Sequence, residues 1–100
     1  MTKIKTITSH TGLSRWLAET SDPVAWIARA QCANIPSPYA YSPSKEILEW
    51  KGKQVVYFEV SHKRYEIFEV PAGMLRFKTD DEATEWHISN TRSLTGGDLK

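Results

Sequence analysis

Gln54–Val70 reads QVVYFEVSHKRYEIFEV, and the fold turns on this stretch. Val56, Phe58 and Val60 fall on one side of a period-two repeat, with Val55, Tyr57 and Glu59 on the other. Beyond the polar Ser61-His62-Lys63-Arg64, Glu66, Phe68 and Val70 share a side, and Tyr65, Ile67 and Glu69 share the opposite one. Side chains alternate across a strand, and β-branched and aromatic residues dominate both halves without Pro or Gly. The pattern predicts a β-hairpin closed by a loop of about four residues. Its Val56/Phe58/Val60/Phe68/Val70 side is apolar enough for a core. The other side mixes Val55, Tyr57, Tyr65 and Ile67 with two acids, and reads as half-wet or as a contact surface.

Downstream, Pro71-Ala72-Gly73 is a turn, and Met74–Lys78 is expected to be a further strand with Leu75 and Phe77 on one face. Thr79-Asp80-Asp81-Glu82 matches a capping box, with Thr79 at the N-cap and Glu82 three residues on. Its acids suit the positive end of a helix dipole. The expected helix runs to about Ser89 and buries Ala83, Trp86 and Ile88; a strand over Glu85–Ser89 is the alternative, and the cap favours the helix. Residues 91–100, with Gly96-Gly97, are expected to be a flexible tail.

Upstream, Gly52-Lys53 is a short reversal, and Ser44–Trp50 reads as a strand or a helical turn, the strand being favoured because it feeds that reversal. Ile35–Pro43 carries three Pro and is expected to be an extended surface loop. Asp22-Pro23 looks like an N-cap followed by Pro at the first helical position. This predicts a helix from Pro23 to about Ala33. Leu13, Trp16 and Leu17 make an apolar stripe at helical spacing, which predicts a helix over Gly12–Thr20 capped by Ser9 or Thr11. Met1–Thr8 serves as a short strand or an extended arm. The expected fold is therefore α+β: an N-terminal helical pair, a three- to four-stranded antiparallel meander and a C-terminal helix, in one compact domain over 1–90. Its core is expected to hold Trp16, Leu17, Ile27, Val56, Phe58, Val60, Phe68, Val70, Phe77 and Trp86.

One hundred residues, 40% hydrophobic and 25% charged, suit one globular domain and exclude a disordered chain. The net charge is +1, with nine Lys/Arg against five Asp/Glu in 1–64 and four against seven in 65–100. That modest asymmetry is far from the basic stripe of most nucleic-acid binders. Cys32 is the sole cysteine, which fits a reducing compartment. The sequence has neither a membrane-length apolar run nor a signal-peptide core, so a cytoplasmic location and no membrane contact are expected.

Chemistry is sparsely marked. His10, His62 and His87 are widely spaced and match no metal-ligand spacing. Cys32 with a His is a formal nucleophilic pair, yet an Ala-rich setting suits a small buried hydrophobe. Helix capping accounts for the acids at 80–82. No phosphate-loop, dinucleotide or hydrolase motif occurs, so the chain is expected to be no enzyme and to carry no cofactor or metal.

The leads are surfaces. In a meander, Lys63 and Arg64 lie at one sheet end and Arg76 and Lys78 approach it, with Tyr57 and Tyr65 nearby. Aromatics among cations stack bases and hold phosphates in single-strand binders, but they also serve as soluble hairpin ends. Tyr39 and Tyr41 in the Pro-rich loop, with Trp50, Tyr57, Tyr65 and Ile67, add candidate protein contacts, since Trp, Tyr and Arg are enriched at hot spots. The expected function is a small protein-binding inhibitor or accessory factor that occupies a surface of a larger protein or protein–nucleic-acid complex. Size and lack of motifs liken it to phage or mobile-element antagonists of host defence. Nucleic-acid binding through the sheet is the alternative, and a homodimer through a strand edge stays open.

Overall fold

The hairpin is present in the computed structural model, which describes residues 1–32 and 42–94. Its strands are β4 (Lys53–Ser61) and β5 (Arg64–Glu69), paired antiparallel with Val56 opposite Phe68 and Tyr57 opposite Ile67. The elements that precede them are β1 (Thr2–Ile7), α1 (His10–Leu17), β2 (Ala25–Ala28), one 3-10 turn (Arg29–Cys32) and β3 (Ser44–Trp50). After them comes α2 (Asp80–Leu94). All strand pairs are antiparallel, and the five-stranded order is β1-β5-β4-β3-β2. The α+β class stands. The number and identity of the other elements differ from the sequence expectation.

Within the helix expected from Pro23 to Ala33, Ala25–Ala28 is a strand and Arg29–Cys32 a 3-10 turn instead, Ala33 lying outside the described residues. Val24 N–H donates to the Ile47 carbonyl, and Ala25 to Ala28 pair with Ile47 to Ser44. Ile27 and Ala28 are fully buried in that position. Long-range pairing and burial outweigh the helix propensity of an Ala-rich segment, which is worth only tenths of a kcal/mol per residue, about 0.7 at most for ordinary residues. There is thus no helical pair.

Met1–Thr8 resolves to a strand: β1 lies on β5, with Ile7 opposite Tyr65. Met74–Lys78 resolves differently, to one isolated bridge in which Trp26 and Phe77 exchange both backbone hydrogen bonds. Five strands therefore replace the expected three or four. The C-terminal helix also differs in extent. Its cap is as read, with Thr79 Oγ1 accepting from Glu82 N–H, although the Glu82 carboxylate takes Lys78 N–H. The helix continues to Leu94, past the expected end near Ser89 and into the segment assigned to a tail.

Two turns set the strand ends. Lys51 and Gly52 both have positive φ, 51° and 78°, as a tight type I′ connection between β3 and β4 requires. At the β4–β5 tip only Lys63 is left-handed (φ 58°), and the register shifts between Glu59 and Ser61. The turn proper is His62-Lys63, shorter than the expected loop.

Both faces of the sheet are covered. On the first, Ile27, Ile47, Val56, Phe58, Phe68 and Val70 form one cluster with Cys32, and α2 lies over β2, β3 and the 3-10 turn. On the second, Leu48, Val55, Tyr65 and Ile67 pack with Ile7 and with Trp16 of α1. The reason is topological. β1 and β2 are opposite edges, so the chain must cross the sheet between them, and α1 lies in that crossover. Of the expected core, Leu17, Val60, Phe77 and Trp86 are only half-buried. Among the described residues no helix is long and apolar enough to cross a membrane.

Candidate functional site

The residues expected to form one surface are dispersed. Ile67 is fully buried and Tyr65 is 6% exposed, because α1 and β1 close over that face. Tyr57 is half-buried, its ring 5.6 Å from that of Trp16 and its other flank under the Lys45 ammonium at 4.8 Å. The expectation of an open aromatic face is thereby corrected. Tyr39 and Tyr41 lie outside the described residues.

The four cations do not gather at one end either. Lys63 and Arg64 sit at the β4–β5 tip, where Arg64 and Lys3 both reach the Glu66 carboxylate, at 3.5 and 3.4 Å. Arg76 is held at the other end of β4. Its guanidinium donates to the Gln54 side chain and to the carbonyls of Val70, Pro71 and Met74. Gln54 and Ser61 are seven positions apart on β4, roughly 23 Å at strand rise. Arg76 is therefore a clasp for the chain leaving β5. Lys78 lines an open cleft of about 610 Å³ against α2, where Glu82 and Glu85 match the two cations and Phe77 meets Trp86 at 6.3 Å.

A different site is assembled on the α1 side. A groove of about 440 Å³ lies between the end of β1, the length of α1 and the β3–β4 turn. β1 contributes Lys5, which stands opposite Ile67 and so on the α1 face of the sheet. Ser9 accepts from Gly12 N–H as the N-cap, at 2.9 Å. Gly12 lets the helix approach β1: a Cβ there would meet Ile7 Cγ2 at 3.0 Å. That approach places Arg15, Trp16 and Glu19 along the groove.

The far wall is Trp50-Lys51. The Lys51 ammonium sits over the Trp50 ring at 4.9 Å, and Trp50 Nε1 donates to Glu19 Oε1 at 3.0 Å. Trp16 stands edge-on to Trp50 at 5.8 Å and is only 2% exposed. Its indole N–H is buried and has no hydrogen-bond acceptor among the described residues. Lys5, Arg15 and Lys51 are exposed and lie in no ion pair there, whereas Lys3, Lys53 and Arg64 are paired with Glu66 or Glu69. The one acid of the groove is already engaged by Trp50. The arrangement is an electropositive slot with an aromatic floor.

Other chemistry-bearing groups are placed as follows. Cys32 is buried, and burial pushes its thiol up, away from the thiolate that a nucleophile requires. His10 and His62 come within 6.5 Å of each other, and His10 within 6.0 Å of Tyr65. Among the described residues no three His, Cys, Asp or Glu are grouped to hold a metal. On the α2 face, Lys45 is driven down from the usual lysine range by burial.

Sequence reasoning missed the groove because its charged members come from positions 5, 15, 19 and 51. The Trp16/Trp50 pair was the available signal, once an α1 crossover was supposed. No family model, curated protein or solved structure matches the chain.

Proposed function

We propose that this chain is a small non-enzymatic binding protein, an inhibitor or accessory factor that acts by occupying a surface of a larger protein or complex. The observation that supports this most is the α1 groove, lined by two tryptophans and by three cations that lie in no ion pair among the described residues. Trp and Arg are enriched at interface hot spots, which sit inside a polar, solvent-accessible rim. By analogy of size, antagonists that phages and mobile elements direct at host defence are the nearest class.

The test is affinity capture with the full chain from nuclease-treated host lysate, beside the triple variant Lys5→Glu/Arg15→Glu/Lys51→Glu. A protein retained by the wild type and lost by the variant is the expected result. Retention by both variant and wild type removes the groove from the contact. Equal loss with Lys63→Glu/Arg64→Glu moves the contact to the hairpin tip. Capture seen only from a parallel untreated lysate, and falling steeply with salt, replaces this reading with nucleic-acid binding.

A further inference from the structure

The chemistry of the groove points to what fills it. Like charges brought together around a low-dielectric floor repel one another unless an anion joins them, and among the described residues Lys5, Arg15 and Lys51 lie in no ion pair. Resting on the binding function proposed above, we infer that the groove receives a short acidic segment of a partner protein, with one carboxylate seated among the three cations.

Charge distribution argues for a short acidic segment over a nucleic-acid strand. A phosphate backbone needs cations in a continuous track. Here the flanking cations Lys3, Arg64 and Lys53 are tied to Glu66 and Glu69, which interrupts any track of free cations leading out of the slot. Glu19 within the slot would oppose a polyanion passing through it, but not one carboxylate seated among the cations. About 440 Å³ also fits one or two side chains, not a run of nucleotides.

The four tryptophans make the test self-controlled, because each indole N–H gives its own resonance. Hexaglutamate is titrated into the 15N-labelled full chain at low salt, with a single-stranded hexathymidylate and inorganic phosphate as parallel probes. Hexaglutamate is expected to shift the indoles of Trp16 and Trp50 and leave those of Trp26 and Trp86 in place. The Lys5→Glu/Arg15→Glu/Lys51→Glu variant should lose the shift. Unmoved indoles, four indoles moving together, or tighter binding of the oligonucleotide or phosphate than of the peptide would each overturn the inference. If groove variants abolish partner capture while hexaglutamate does nothing, the binding function stands and the acidic occupant falls. If the peptide binds the slot while the variant still captures the partner, the proposed function is the part that fails.

Discussion

Gln31 closes its side-chain amide onto the backbone of Leu75: Oε1 accepts the Leu75 N–H at 3.0 Å, and Nε2 donates to the Leu75 carbonyl at 3.1 Å. The amide acts as one more strand residue, continuing the single Trp26–Phe77 bridge beyond the end of β2. Together these bonds pin residues 75–77 along an edge that would otherwise offer open backbone groups.

Gln31→Ala should therefore destabilise the protein by about 1 kcal/mol, the net worth of an ordinary hydrogen bond or two in a solvated setting. The local effect should exceed the global one. Amide exchange at Leu75 and Phe77 is expected to accelerate more than exchange in β4, and equal acceleration in both would show that the clasp does not act locally.

Arg76→Ala removes a guanidinium that serves Gln54 and three carbonyls at once. A loss of about 2–3 kcal/mol is expected, since bonds to charged donors are the strong ones. Arg76→Lys should recover little, because one ammonium cannot reproduce the planar fork. Urea midpoints of the three proteins measure this directly.

Trp16→Ala should cost about 3–5 kcal/mol, as for other large aromatic truncations in a core. Trp16 is the main contribution of α1 to the second face, packed with Leu48, Val55 and Ile67. Loss of α1 helicity with retention of the β4–β5 pairing is the expected pattern by hydrogen exchange.

His87 on α2 has its imidazole pushed below 6.5 by burial, with the Arg29 charge adding to the effect. Its proton is held less tightly in the folded protein than in the unfolded chain. Between the two values the unfolded state binds more protons, so stability rises with pH until 6.5 is passed. His87→Gln should flatten that rise. Urea midpoints at about pH 5 and pH 7.5 compare the two, and an unchanged difference between wild type and variant would refute the assignment.

The sequence was legible where local pattern and tertiary demand agree. Period-two alternation marked β4 and β5 and their paired core face, down to Phe58 against Phe68, whose rings meet at 6.0 Å. Thr79 and Glu82 marked the start of α2, and Leu13, Trp16 and Leu17 the apolar side of α1. These features are written within a few residues, so chain geometry alone reveals them.

What only the tertiary structure decided was the fate of residues whose partners are distant. Asp22-Pro23 and the alanines after it specify a helix locally, yet β3 takes that segment as its neighbour and buries Ile27 and Ala28. Tyr65 and Ile67 alternate as if half-exposed, and the β1–α1–β2 crossover covers them. Lys5, Arg15 and Lys51 are unremarkable surface charges until that same crossover draws them around Trp16 and Trp50. Period and propensity are short-range properties of the chain. Burial and electrostatics depend on what the fold brings close, and here one helix crossing a five-stranded sheet sets both.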